Sequence, residues 1–424
     1  MRGFLRALAG LALAAPLAVI ALGAPAPRLA PPAAAAPVNQ CMECHLSLDD
    51  DTFTPPAKAF RKEDVHAKAG FTCANCHGGD PTQEDMDAAH DPKKGFIGKP
   101  THQQIPQVCA KCHSDAGLMK QFNPSLRVDE LSEYKTSKHG QMLVQGDQHV
   151  AECASCHGAH GILPIKDTRS PVYPTRVAKT CNTCHGDTAL MASYHLPSDV
   201  YAKYMTSVHA KAMYEKGDIS APTCNSCHGN HGATPPAVSS VANVCGTCHS
   251  VFAEKFKQSA HSRAFADMGL PGCVTCHGNH DIVQPTEEFL GTGPTGKCGS
   301  CHEKGDRCDV ATTAMHKDIV ALRTRIEAAH KILDTASEAG MEVSKQKFDL
   351  TNAEEALTKA RTDVHELQLA AVRKDADEGL AVARAAEAAG HKAMAERDYR
   401  RRGLLLSLFL ILSAIAALLY KIRG

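Results

Sequence analysis

The chain has 424 residues and carries 46 Lys plus Arg against 46 Asp plus Glu, so its formal net charge is zero. This balance provides no basic surface of the kind that binds nucleic acid, and we expect no nucleic-acid partner. Aromatic residues make up only 5% of the chain and Trp is absent, which is thin for a conventional core of this size. The 19 Cys and 24 His are the features that need an explanation.

Residues 1–36 have the pattern of a secretory signal peptide. Arg2 and Arg6 precede an apolar run, which is followed by small residues and prolines. The alternative is an uncleaved N-terminal anchor. Both interpretations predict that the rest of the chain is exported.

The sequence C-x-x-C-H occurs nine times within residues 38–310, and we number these motifs 1 to 9 in chain order. The motif cysteines are Cys41, Cys44, Cys73, Cys76, Cys109, Cys112, Cys153, Cys156, Cys181, Cys184, Cys224, Cys227, Cys245, Cys248, Cys273, Cys276, Cys298 and Cys301. The motif histidines are His45, His77, His113, His157, His185, His228, His249, His277 and His302. After motif 1, the other eight form four repeats of two motifs each.

In C-x-x-C-H the two thiols bond to a haem and the histidine binds its iron. Zinc also binds C-x-x-C pairs, but it does not require a histidine directly after every pair. Disulfides across two residues would be strained and reducible, which does not suit nine structural bridges. The motifs therefore predict nine covalently bound c-type haems, which would fill the space that side chains leave. Cys308 lacks a motif partner, and we expect a free or buried thiol there.

Nine six-coordinate irons need nine further ligands, and fifteen histidines lie outside the motifs, since nine of the 24 are used. One candidate precedes the first motif of each repeat, and others follow it in the form His-Gly-x-His. His90 is expected to replace the histidine that is missing at Asp80 in the first repeat, and His316 is expected to cap the last haem. The predicted distal ligands are His66, His90, His139, His160, His209, His231, His261, His280 and His316. The reserves are His102, His149 and His195, whereas His330, His365 and His391 are expected to be solvated.

The sequence changes character after the last motif. Residues 311–402 contain no proline and place Ile319, Leu322, Ile326 and Ala329 at helical spacing. Gly340 predicts a turn between two long helices, about 312–338 and 342–400, which form a hairpin or coiled-coil stalk through which the chain can oligomerise. One continuous helix is the alternative.

Residues 403–420 form an uncharged run of eighteen residues between Arg400–Arg402 and Lys421. At a rise of 1.5 Å per residue this run is about 27 Å long, close to the roughly 30 Å of a bilayer core. A buried soluble helix is the alternative to a transmembrane anchor. The predicted fold is thus mainly α with little regular structure: a haem-packed region at 38–310, a helical stalk at 311–402, one transmembrane helix at 403–420 and a cytoplasmic tail at 421–424.

The C-x-x-C-H-G-x-H runs at His157–His160, His228–His231 and His277–His280, each with a histidine upstream and a second motif downstream, resemble the multihaem c-type cytochromes. The resemblance covers about residues 41–316. It implies haems with two histidine ligands, and electron transfer as the activity. The long helices after the last haem look like those of pentahaem nitrite reductase, but its catalytic C-x-x-C-K does not occur here, and nitrite reduction is not implied.

We therefore expect a periplasmic cytochrome, anchored in the inner membrane, that passes electrons in anaerobic-type respiration. Its expected partners are redox proteins: a quinol-oxidising membrane complex as donor, and a periplasmic or outer-membrane acceptor. No catalytic residue is predicted. The alternative is a reductase or oxidase of a small nitrogen or sulfur compound in which one iron has an open position.

Overall fold

The computed structural model describes residues 39–235 and 238–423, so the predicted signal peptide lies outside the described residues. Every regular element in the described part of the chain is a helix, which confirms the mainly helical fold. The chain divides into two compact units, and the boundary runs through one of the early helices.

The first unit comprises the described residues up to Lys58 together with His66–Gly98. The helices that lie wholly or partly in it are α1 (Gln40–Ser47), α2 (Thr54–Glu63), α3 (Val65–Lys68), α4 (Cys73–His77) and α5 (Met86–Ala89), with a 3-10 turn at Pro92–Lys94. Helix α1 packs against α4, so motifs 1 and 2 are neighbours. The backbone N–H of Gln40 donates to the carbonyl of Pro81 at 2.8 Å, which ties the start of α1 to the loop after α4.

The second unit comprises Ala59–Val65 and the described residues from Lys99 onward. As far as residue 305 it consists of short helices. These are α6 (Ile105–His113), α7 (Ala116–Phe122), α8 (Glu130–Thr136), α9 (Lys138–Val144), α10 (Cys153–His157), α11 (Pro174–His185), α12 (Thr188–Ser193), α13 (Val200–Thr206), α14 (Val208–Tyr214), α15 (Cys224–His228), α16 (Ser250–Gln258), α17 (Ala260–Met268) and α18 (Gly272–His277). Three 3-10 helices, Val241–Thr247, Glu287–Phe289 and Cys298–Ser300, complete this part.

Side chains supply little core to this short-helix region. Its cluster of buried apolar residues consists of Ala178, Tyr204 and Ala210, with a few partly buried neighbours. Apolar burial is the main favourable term in folding, and it scales with the apolar area removed from water. The region therefore needs another source of buried surface to hold its helices together.

The rest of the second unit is a bundle of three long helices, α19 (Arg307–Glu338), α20 (Ser344–Asp363) and α21 (Leu369–Arg423). Helix α21 packs against both others. The predicted positions Ile319, Leu322, Ile326 and Ala329 are buried in this bundle, which confirms the helical spacing. The bundle thus has the aliphatic core that the preceding region lacks.

The number of helices differs from the prediction of a two-helix hairpin. The turn at Gly340 is present, with a left-handed φ of 80°. A second break follows α20, where a 3-10 turn at Val364–Glu366 leads to Leu367 at a φ of 57°. A leucine rarely adopts a left-handed conformation, so no local sequence signal marks this break, and tertiary contacts must hold it.

Two glycines let α21 approach its neighbours closely. A Cβ atom at Gly379 would lie 2.9 Å from Ala356 Cβ and 2.9 Å from Leu322 Cδ1. A Cβ atom at Gly390 would lie 2.8 Å from Ile332 Cγ2. A larger residue at either position would force α21 away from the core.

Beyond the bundle, α21 continues through residues 403–423 with its side chains exposed. It is the one helix among the described residues that is long and apolar enough to cross a membrane, and none of that apolar window is buried against the rest of the protein.

Candidate cofactor sites

The first motif of each repeat forms a very short helix. These helices are α4, α10, α15 and α18, and each ends at the motif histidine. Residues at positions i, i+3 and i+4 lie on one face of a helix. The spacing C-x-x-C-H therefore presents both thiols and the imidazole on the same side.

Three of these helices are capped at their N-terminus by side chains in the motif or just before it. The side chains of Asn75, Ser155 and Ser226 accept the backbone N–H of the residue before each motif, namely Thr72, Glu152 and Thr223. The backbone N–H of Thr223, for example, donates to Ser226 Oγ at 3.1 Å. Such caps satisfy N–H groups that a helix of five residues cannot pair internally.

A glycine follows the histidine in each of these four motifs. Gly78, Gly158, Gly229 and Gly278 have φ between 72° and 83° with ψ near 180°, a region that is essentially restricted to glycine. The glycine ends the helix at once and turns the chain away. Two residues later, His231 and His280 face motif histidines other than their own.

Serine caps explain the recurring Ser-x-His sequences upstream. Ser137 and Ser207 are buried N-caps, and their Oγ atoms accept the backbone N–H of Gly140 at 3.0 Å and of Ala210 at 3.1 Å. Ser259 takes the same position before α17, although its Oγ donates to the carbonyl of Phe256 at 2.7 Å instead. Each serine fixes the helix start so that the histidine lies in the first turn.

Seven motif histidines each face the ring of a histidine from outside the motifs. Both members of each pair belong to the same unit. The ring centroids are 5.9–6.3 Å apart, and the pairs are His45–His90, His185–His139, His157–His231, His249–His209, His228–His280, His302–His261 and His277–His365.

This separation matches two imidazoles bound on opposite sides of one metal ion. A metal–imidazole nitrogen bond is about 2 Å long, and the ring centre lies about 1 Å beyond the nitrogen, which places the two ring centres about 6 Å apart. The residues therefore fit a six-coordinate iron with two histidine ligands.

Five of the seven pairs follow a simple rule along the second, third and fourth repeats. The upstream histidines His139, His209 and His261 face the second motif of their own repeat. In contrast, His231 and His280, which follow a first motif, face the first motif of the preceding repeat. The third and fourth repeats thus each place one histidine opposite a motif of their own and one opposite a motif of the preceding repeat.

Motif 1 precedes the four repeats and has its own partner. His90 faces His45 at 6.2 Å, and its ring packs on Phe96 at 4.5 Å. Asp80, which stands where other repeats have a histidine, pairs instead with Lys94 Nζ and accepts from Thr82 Oγ1 at 2.6 Å. These contacts hold the pKa of the Asp80 carboxyl well below its usual range, so Asp80 is an anchor for its own loop.

The remaining predicted ligands lie in different surroundings. The ring of His66 lies 6.1 Å from that of Phe71, and His160 is exposed at the turn after α10. His316 Nε2 contacts Glu288 Oε1 at 3.2 Å. His66, His160 and His316 stay predictions as iron ligands.

His365 is the residue that sequence reasoning missed, since we expected it to be solvated. It faces His277 at 6.2 Å, with the two rings within 15° of parallel. His365 lies outside the repeats, so it does not recur at a matching position in each repeat as the other histidines do.

Burial favours the neutral form of several of the paired histidines. Removal from water, reinforced by the facing ring, lowers the pKa of His139, His157, His228 and His277 below its ordinary value. A neutral imidazole has a lone pair for a metal, whereas the protonated ring does not. Two motif histidines have contacts that orient their rings through Nδ1: that atom of His77 lies 2.7 Å from the carbonyl oxygen of Gly98, and that of His302 lies 3.0 Å from Asp306 Oδ2.

Thiols of successive motifs are neighbours. In the second unit, Cys109 contacts Cys153, Cys181 contacts Cys224, and Cys245 contacts Cys273. The thiols of motifs 4 and 5, of motifs 6 and 7, and of motifs 8 and 9 interact electrostatically. Motifs 3 to 9 therefore form a continuous series in chain order, and motifs 1 and 2 form a pair in the first unit.

The donor atoms of the motifs do not converge as a zinc site requires. Among the described residues, one group of three His, Cys, Asp or Glu side chains brings its ligand atoms within 4.8 Å of one another, namely His302, Asp306 and Cys308. A tetrahedral zinc site would need such a group at each motif. The Cys308 thiol itself lies against Cys298, and burial raises its pKa to about 12.

The serine caps lead to a testable expectation. Replacing Ser207 with Ala removes the acceptor for the Ala210 N–H at a buried helix start, and we expect the free energy of unfolding to fall by about 0.5–2 kcal/mol. Chemical denaturation of the full chain measures the change. The exposed Ser125 is the matched control, and a Ser125→Ala effect as large as that of Ser207→Ala would contradict the capping role.

No family model, curated protein or solved structure matches this chain. Its function must therefore be inferred from the motifs and the geometry of the residues around them.

Proposed function

We propose that this protein is a membrane-anchored cytochrome that binds nine c-type haems and transfers electrons along them. The observation that carries the proposal is the set of seven histidine pairs, whose ring centroids are 5.9–6.3 Å apart and each of which includes one motif histidine. In every pair the motif also offers two cysteines beside the ring. Nothing but a haem uses two thiols as covalent anchors and two trans imidazoles as metal ligands.

Haem would supply the reversible one-electron chemistry of iron, and the chain supplies attachment, axial ligands and spacing. Two histidines on one iron leave no position for a substrate, so such a site passes electrons without binding a reactant. The paired histidines therefore favour an electron-transfer protein over a reductase. The proximity of thiols of successive motifs from 3 to 9 supports an electron path that follows the chain order.

The haems would also supply the buried apolar surface that the short-helix region lacks. Its cluster of buried apolar side chains is small, whereas the bundle has a long aliphatic core of its own. Covalent attachment keeps a large apolar group in place where side chains alone could not enclose it.

We propose further that residues 403–420 cross the inner membrane and leave the haem region in the periplasm, where covalent haem attachment takes place. Arg400, Arg401 and Arg402 would then lie at the outer interface beside lipid phosphates. The tendency of positive residues to stay in the cytoplasm opposes this direction, because only Lys421 and Arg423 follow the span. Export by the N-terminal signal, which comes first during synthesis, decides the orientation.

The electron donor would be a quinol-oxidising membrane complex and the acceptor a periplasmic or outer-membrane protein. The membrane anchor supports this arrangement. The exposed apolar end of α21 gives the protein a fixed place at the membrane, where quinols are oxidised.

Cofactor load is the first test. Intact mass of the purified protein under denaturing conditions should show nine added haems, since thioether bonds survive unfolding. Cys308→Ser should keep all nine, because Cys308 lies outside the motifs, whereas Cys227→Ser should weaken or remove one attachment. Seven haems or fewer, or bound zinc, would contradict the proposal.

Iron coordination is the second test. Oxidised protein should show low-spin iron by electron paramagnetic resonance, and His231→Ala should create one high-spin iron at His157 that binds carbon monoxide. The control His330→Ala, which removes an exposed contact with Glu354, should leave every iron low-spin. A stoichiometric high-spin haem in the unmodified protein would favour the alternative, a reductase or oxidase with one open iron.

The third test concerns the anchor. Truncation after Glu396 keeps the buried positions of α21, of which Gly390 is the last, and removes residues 403–420. The variant should be a water-soluble protein with nine haems that dithionite still reduces but membrane quinol does not. Fractionation and reduction kinetics measure both properties. Retention of the truncated chain in the membrane fraction would contradict the anchor.

A further inference from the structure

We propose that His365, in the break between α20 and α21, is the second axial ligand of the iron held by His277, so that the helical bundle completes the site of motif 8. This inference rests on the proposed haem function and adds a ligand that the repeats do not contain.

The geometry of the pair is that of the other candidate sites. The ring centroids of His277 and His365 are 6.2 Å apart, and the planes differ by 15°. The pair His157–His231 has 6.2 Å and 20°, and the pair His228–His280 has 6.0 Å and 17°. His365 thus takes the position toward its first motif that His231 and His280 take toward theirs.

The order of the repeats explains why this ligand comes from elsewhere. The first motif of a repeat is faced by the His-Gly-x-His histidine of the next repeat, as His231 and His280 show. Motif 8 opens the last repeat, so no later repeat exists to supply this histidine. The bundle follows in the chain and brings His365 to the same place.

The local contacts of His365 are those of a metal ligand. Its Nδ1 lies 3.0 Å from the carbonyl oxygen of Thr362, so that Nδ1–H can donate there and leave Nε2 free for iron. Phe252 packs its ring edge-on at a centroid distance of 5.0 Å. The orientation of the ring is therefore set from two sides.

The backbone around His365 is held in its unusual form by the short-helix region. Lys255 Nζ lies 2.9 Å from Asp363 Oδ1 and also pairs with Glu366, so one cation bridges the residues on both sides of the 3-10 turn. Leu367 follows in a left-handed conformation and leads into α21. The break between α20 and α21 requires a strained backbone conformation and carries His365 at its centre. This combination is typical of a functional site.

His316, the ligand expected from the sequence, lies on α19 with its Nε2 against Glu288 Oε1. A carboxylate at 3.2 Å occupies the nitrogen that an iron would need. The sequence assigns His316 to the last haem, that of His302, whereas the structure places His261 opposite His302. His316 therefore serves as a control histidine within the bundle.

The experiment compares His365→Ala with His316→Ala in the full chain. We expect His365→Ala to keep nine covalent haems by mass, to gain one high-spin iron per molecule by electron paramagnetic resonance and to bind one carbon monoxide. His316→Ala should keep all irons low-spin. Nine low-spin haems in His365→Ala would overturn the assignment. Absence of haem from the unmodified protein would instead refute the proposed function.

A second variant covers the case in which His365→Ala does not fold. Methionine can ligate haem iron and raises its reduction potential relative to histidine. We expect His365→Met to keep nine six-coordinate haems and to raise the potential of one of them in a redox titration. Nine unchanged potentials would overturn the assignment.

Discussion

The organisation of this protein depends on pairs of imidazole rings whose centroids lie about 6 Å apart. Each pair joins two segments that are distant in sequence, such as His157 with His231 and His228 with His280. Because these pairs reach from one repeat into the preceding one, the repeats are interlocked rather than merely adjacent. In the proposed holoprotein, iron closes each pair and thereby fixes the helices that carry it.

This constraint accounts for the unequal distribution of the apolar core. The short-helix region has a small cluster around Tyr204, whereas the bundle buries a full aliphatic seam from Met315 to Ala336 on α19 alone. A region held by metal–ligand bonds and covalent cofactors does not need a continuous side-chain core. Metal binding can supply the free energy of folding directly, as it does in small metallo-domains. The bundle has no motifs, and it folds by the ordinary burial of a helical stripe.

Much of the local structure could be predicted from the sequence. The spacing C-x-x-C-H indicated helical turns that present three groups on one face, and the apolar period placed Ile319 and Leu322 in the bundle core, which the structure confirms. The serine before His139 and His209 is a standard N-cap, and a reader of the sequence could have used it to place both helix starts.

The pairing of individual histidines across the repeats could not be predicted in the same way. The sequence contains candidates for both members of each pair, but which histidine faces which depends on the register of one repeat against another. The second break in the bundle had no local signal, because Leu367 is an ordinary helix-forming residue whose left-handed conformation is imposed from outside. The same tertiary contacts conceal His365, which looks like a surface residue in a helical pattern.

The parallel course of α19 and α21 has a geometric consequence for partner choice. Helix α21 starts at Leu369, beside the site of His277, and runs about 50 Å at 1.5 Å per residue before it reaches Arg402. With residues 403–420 in a bilayer and α21 upright, the motif 8 site would stand about that far above the lipid. A lipid-dissolved quinol could not approach such a site directly, so electrons would reach it through the other proposed haems or through a protein of similar height. Height above the membrane, in addition to surface complementarity, would then select the proteins with which electrons are exchanged.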